Sequence, residues 1–196
     1  MPSPHTIYAA VRKLPPAHFL LCENATVSVH RYWDPVPYAL DRTSMTEADA
    51  VAEADSRLTT AVRQRMIADV PLGAFLSGGI DSSLVVALMQ ELSPEPVKTF
   101  TIRFDDPEID EADSAAAVAR HLRTDHHEET CDERQMLDVV DRLADMFDEP
   151  FADSSAVPTY LVSKIARASV TVALSGDGGD ELFLGYPRHR FQRQAA

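Results

Sequence analysis

A chain of 196 residues has room for one ordinary domain and part of another. Hydrophobic residues make up 45% of it, enough for a packed core, and 18 Lys plus Arg against 31 Asp plus Glu leave a formal charge of −13. So acidic a surface repels phosphate backbones and argues against nucleic acid as the main partner, while small anions can still bind through helix N-termini, backbone amides or a bridging metal. Cys22 and Cys131 are far apart with no CxxC spacing and read as two reduced thiols. The N-terminal MPSPHTIYAAVRKLPP lacks the apolar core of a signal peptide, and apolar runs such as LVVALM are too short to cross a bilayer. The expectation is a cytoplasmic protein with no membrane contact.

In chain order, residues 18–33 alternate as a β-hairpin with a turn at Glu23 and Asn24, and Pro35 and Pro37 make WDPVPYAL a linker. Ser44 and Glu47 have capping-box spacing before a helix running to about Asp69, with Val51, Leu58, Val62 and Met66 on its apolar stripe. A strand over 70–76 and a buried helix over 84–92 follow, then the alternating strand VKTFTIRF and an Ala-rich helix over 113–122. TDHHEETC is a weaker strand. Residues 132–147 form one amphipathic helix, 155–168 another, and VTVALS a last strand ending at Ser175. Alternating strands and helices predict an α/β fold, a parallel sheet flanked by helices.

Two loops carry the chemistry. FLSGGIDSS ends a strand and opens a helix, where Gly78 and Gly79 let backbone approach a ligand and Ser77, Ser82 and Ser83 offer hydroxyls. It is not GxxxxGK[ST], and an acid at position 81 suggests Mg²⁺ joining Asp81 to phosphate oxygens. LSGDGGDELFLGY follows the last strand and gathers Asp177, Asp180 and Glu181 beside Gly176, Gly178 and Gly179. In a parallel sheet both loops belong at the carboxyl edge, where ligands bind.

These loops resemble those of the N-type ATP pyrophosphatases. Together with FTIRFDDP, HLRTDHHE and SGDGGDELF they resemble the glutamine-hydrolysing asparagine synthetases from about Arg12 to Tyr186. SGGxDS alone is shared with several synthetases; SGDGGDE at this distance is more specific. The resemblance implies an adenine nucleotide α-hydrolase-like, Rossmann-like fold and an ATP- and Mg²⁺-dependent ligase in which aspartate forms a β-aspartyl adenylate that ammonia opens to asparagine. It implies that Ser77, Gly78, Gly79, Asp81, Ser82 and Ser83 cradle pyrophosphate and that Asp81 and Asp180 hold Mg²⁺. Leu76, Ile102, Ser175 and Gly176 would contact adenosine through the backbone, with Asp177, Asp180 and Glu181 as the catalytic acids. Ammonia would come from glutamine through a glutaminase domain.

Residues 1–38 resemble only the last hairpin and linker of that glutaminase domain, and 39–196 the N-terminal part of the synthetase domain. An incomplete chain is therefore expected. Lys13, Lys98 and Lys164 do not match the family's catalytic lysine, which lies beyond Tyr186. Arg103, Arg123 and Leu184 stand where relatives usually carry Gly. A β-lactam-synthetase-like ligase acting on another carboxylate, and a non-catalytic nucleotide-binding fragment, are the competing readings; a homodimer is among the assemblies left open. His126, His127, Glu128 and Glu129 alternate along a strand and are poorly placed to share one ion. The acids of 105–113 read as a solvated loop entering a helix, and Asp153 as a substrate contact.

Overall fold

The computed structural model describes residues 1–40, 44–107 and 110–187. The chain divides into two units, Met1–Ala52 with Arg142–Asp153, and Glu53–Asp141 with Ser154–Ala196.

In the first unit, β1 (His18–Glu23) and β2 (Thr26–Arg31) pair antiparallel with Glu23 opposite Thr26. The turn is therefore Asn24-Ala25, one residue later than expected, with φ of 50° and 62°. Positive φ at both central residues matches the twist of the flanking strands. The expected linker contains a short helix, α1 (Val36–Leu40). Asp34 Oδ1 accepts from the Val36 amide at 3.0 Å, and Pro37 is tolerated in a first turn because its missing N–H would be unpaired there. Lys13 pairs with Glu149, and its hydrogen bond holds the Glu149 carboxyl below the usual range. Phe147 stacks on Phe151 at 4.4 Å.

Helix α2 (Glu47–Arg65) begins in the first unit and continues into the second. Its cap is not Ser44 but Thr46, whose Oγ1 accepts from the Asp49 amide at 3.2 Å and donates to Asp49 Oδ2 at 2.7 Å. Thr46 directly precedes the first helical residue, where a short hydroxyl can reach the third helical amide.

The second unit runs β3 (Leu72–Phe75), α3 (Ile80–Leu92), β4 (Lys98–Phe104), α4 (Ala112–Leu122), β5 (Asp125–Cys131) and α5 (Glu133–Val140). The helix expected over 132–147 is two helices. It stops at the Asp141 cap, where the chain leaves this unit, and resumes in the first unit as α6 (Leu143–Met146). The second unit then takes up α7 (Ala156–Arg167), β6 (Val172–Leu174) and α8 (Gly179–Phe183).

The sheet order is β5-β4-β3-β6, every pair parallel. On one face Ala74, Leu76, Val86, Met89 and Ala115 join a core with Val62 of α2. Burying each of the larger side chains contributes about 1.5–3 kcal/mol. On the other face Phe100 packs with Ala166 and Val170. Covered on both faces, β4 buries Thr99 through Ile102 without a break. The α/β expectation is met: a parallel sheet flanked by helices. Among the described residues no helix is long and apolar enough to cross a membrane.

Candidate functional site

Strands β3 and β6 are adjacent, with Ala74 opposite Leu174, so the loops that follow them leave the same edge of the sheet side by side. The first loop ends at Gly79, the N-cap of α3, which puts Asp81, Ser82 and Ser83 in that helix's first turn. Ser77 and Ser82 tie it together. Their hydroxyls are 2.9 Å apart, Ser82 Oγ accepts from the Ser77 amide at 3.2 Å, and Ser77 Oγ accepts from the Gly79 amide at 3.2 Å. Gly78, at φ +82°, passes so close to α4 that a Cβ would lie 2.6 Å from the Ala115 nitrogen.

The second loop closes on the first. A Cβ at Gly176 would stand 2.7 Å from the Ser82 nitrogen and 3.0 Å from the Asp81 Cβ; one at Gly179 would stand 2.5 Å from Asp81 Oδ2. Only a residue with no side chain lets the Asp81 carboxylate rest on the start of α8. Asp180, next in the chain, has its own carboxylate against Gly185, where a Cβ would collide with Oδ1. In the second loop Ser175 Oγ donates to Asp177 Oδ2 at 2.9 Å and accepts from the Asp177 amide at 3.4 Å.

The loops enclose a cavity of about 650 Å³. From the expected set it takes Ser77, Gly79, Asp81 and Ser82 on one side, and Ser175, Gly176, Asp177 and Asp180 on the other. A second cavity of about 290 Å³ is mostly apolar and holds Leu76 and Ile102 with Phe75, Phe100, Phe104 and Val162. The Leu76 amide donates to the Phe100 carbonyl at 3.0 Å and its carbonyl accepts from the Thr101 hydroxyl.

Four expected residues fall outside both linings. Gly78 faces α4. Ser83 has a buried Oγ with no partner among the described residues. Glu181 accepts a hydrogen bond from Tyr186 at 2.7 Å. Asp153 belongs to the first unit. Conversely, Glu111 and Thr159 line both cavities and Phe183 and Gly185 the larger one, and none was singled out from sequence. Glu111 lay in an acidic run that reads as solvated, and Thr159 had no local signal.

The residues at non-glycine positions fit their places. Arg103 reaches Asp110 at 3.0 Å, Asp113 at 2.8 Å and Glu128 at 2.7 Å, and its hydrogen bonds to Glu128 and then Asp113 raise its pKa further above the ordinary guanidinium value. Arg123 and Leu184 both end helices in the left-handed conformation at φ 59°, at about 1 kcal/mol each. Leu184 is 54% exposed, so its side chain stands clear of the cavity wall it helps to turn. His126 and His127 point to opposite faces: His126 Nδ1 lies 2.9 Å from Thr99 Oγ1, and His127 stacks on Phe100.

The donor set of the larger cavity suits a hard divalent cation. Asp81 and Asp180 supply carboxylate oxygens at one cavity, and Mg²⁺ typically takes one or two carboxylates with the rest from phosphate and water.

A protein of Methanocaldococcus jannaschii with the provisional name asparagine synthetase (glutamine-hydrolyzing) 2 is 39% identical over 192 residues, covering 96% of this chain and 36% of its own length. Asparagine synthetase (glutamine-hydrolyzing) 1 of Bacillus subtilis is 35% identical, covering 97% and 30%. Amidase chry2 of Gibberella zeae is 31% identical, covering 94% and 30%. The chain thus spans about a third of the length of the curated relatives it matches. The asparagine synthase family model matches residues 53–196, the stretch that carries the sheet, both loops and both cavities, and on that match the chain belongs to the asparagine synthase family.

Proposed function

We propose that this chain carries the nucleotide-binding part of an ATP-dependent, amide-forming ligase that converts aspartate to asparagine. The observation that carries the reading is the closure of the second loop on the first, with Asp81 seated on Gly179 and both aspartates at one cavity. Ile80, Asp81 and Ser82, the first turn of the 13-residue helix α3, line that cavity, and helix-start amides are a setting that favours phosphate oxygens. The apolar cavity beside it suits a purine.

In this reading a β-carboxylate oxygen of aspartate attacks the α-phosphorus of ATP. The bond to pyrophosphate breaks, and ammonia then displaces AMP at the acyl carbon with loss of a proton. The first-turn amides of α3 would hold the leaving pyrophosphate without reorganising, which is where such donors act most strongly. Asp81 and Asp180 would hold Mg²⁺, which when bound neutralises charge on the phosphates. Asp177, fixed by Ser175, orients the second loop toward the reacting centre. Ammonia would derive from glutamine in a glutaminase domain, of which residues 1–38 would be the end.

The test is ATP–pyrophosphate exchange with aspartate by this chain, alongside ATP binding. Nucleotide binding with Mg²⁺ that falls at least about tenfold in Asp81→Asn and in Asp180→Asn supports the reading. Equal binding in both variants refutes it.

A further inference from the structure

The two cavities share a wall of four residues, Phe75, Ser77, Glu111 and Thr159. On one side the lining is apolar; on the other it is glycine backbone, hydroxyls and carboxylates. A ligand that fills both must pass this wall with a part neither apolar nor anionic. In a nucleotide that part is the sugar, whose 2′ and 3′ hydroxyls are neutral donors.

Of the polar groups in the wall, the Ser77 hydroxyl is committed to Ser82 and to the Gly79 amide. The Glu111 carboxylate has no hydrogen bond or ion pair among the described residues, nor does it cap its own helix. Arg103 spends its four hydrogen bonds on three other carboxylates, Asp110, Asp113 and Glu128. Glu111 is nonetheless held in place. On one side Asp110 Oδ1 accepts from the Phe104 amide at 3.0 Å and the Ala112 amide at 3.3 Å; on the other Ala112 is fully buried. A free carboxylate on a pinned backbone repels phosphates and accepts hydroxyls, two at a time when they are vicinal.

We propose that Glu111 recognises the sugar diol of the bound nucleotide and sets the preference for ribose over deoxyribose. This rests on the nucleotide reading above, which supplies the ligand; the choice of residue and of sugar comes from the shared wall.

The experiment measures Mg²⁺-dependent affinities of the full chain for ATP, 2′-deoxy-ATP, 3′-deoxy-ATP and inorganic tripolyphosphate, in wild type, Glu111→Ala and Glu111→Gln. The wild type should favour ATP over each deoxy analogue by roughly 10-fold or more, as for hydrogen bonds to a charged acceptor. Glu111→Ala should bind ATP and the deoxy analogues alike, at an affinity close to the wild type's for the deoxy forms, with tripolyphosphate binding unchanged. Should Glu111→Ala lose tripolyphosphate binding through misfolding, the near-isosteric Glu111→Gln decides, with a discrimination reduced at least about threefold expected. Wild-type discrimination persisting in the deciding variant overturns the proposal, as does a wild type that binds ATP and its deoxy forms equally. A wild type that binds tripolyphosphate but no nucleotide overturns the nucleotide reading itself, a result distinct from either.

Discussion

Asp81 reaches the cavity because Gly179 has no side chain to hold it off. Gly179→Ala puts a methyl where the carboxylate now rests, while alanine suits the helical backbone better than glycine. The expected outcome is a split: ATP–pyrophosphate exchange falls roughly 100-fold from misplacement of a charge at the site, and the unfolding free energy changes by no more than about 1–2 kcal/mol. Paired exchange and urea-denaturation measurements check it; a variant that keeps wild-type exchange would break the link between this contact and activity. Residue-scale legibility follows the same logic. Ser77, Asp81, Asp177 and Asp180 could be read because glycine, hydroxyl and acid cluster locally around them. Glu111 and Thr159 could not, since what brings them to the cavity is the packing of α4 and α7 against the sheet. Ser83 and Glu181 share the loops' composition, but each sits in a helical turn whose rotation carries it away from the cavity.

At the scale of elements, β4 and the helix pattern were legible from apolar runs and period, while β5, DHHEETC, with no apolar run, read only as a weaker strand. Helix α8 was not legible: five residues opening with a glycine carry no periodic signal. The break between α5 and α6 was also hidden, because the apolar stripe continues through Asp141 while the chain passes from one unit to the other. The seam between β4 and β5 has a pH dependence of its own. His126 is half-buried against Thr99, and desolvation lowers its pKa below the ordinary 6.5, helped by His127 and Arg120 and opposed by Glu128. An imidazole with a lowered folded pKa is protonated first in the unfolded chain. Its stabilising share is therefore complete above about pH 6.5 and is lost as pH falls through the window beneath that value. Urea midpoints at about pH 7.5 and about pH 5.5 should drop more in the wild type than in His126→Asn; equal drops would assign the effect to other groups.

For the whole molecule, a formal charge of −13 surrounds a cavity that the proposed function fills with an anion. Long-range repulsion then opposes encounter while short-range donors hold the ligand. Raising monovalent salt from about 20 to about 200 mM should speed nucleotide association roughly 2- to 5-fold, opposite in sign to steered binding. Stopped-flow association rates across that range test it, and a rate that falls with salt would mean the local field of α3 dominates. Both faces of the first unit's hairpin also expose apolar side chains, among them Phe19 and Leu20, and two strands alone are marginally stable in water.

The apolar cavity is built from residues between Phe75 and Val162, whereas its polar neighbour needs Ser175 through Gly185 as well. Translation therefore delivers the purine-sized half first. Until the ribosome has released β6, the outer edge of β3 lacks its partner strand and Asp81 has nothing to lean on, a parallel pairing across about a hundred residues being a slow, late event. A message cut short just ahead of Val172 would yield a polypeptide that keeps every side chain of the apolar hollow and none of the second loop's.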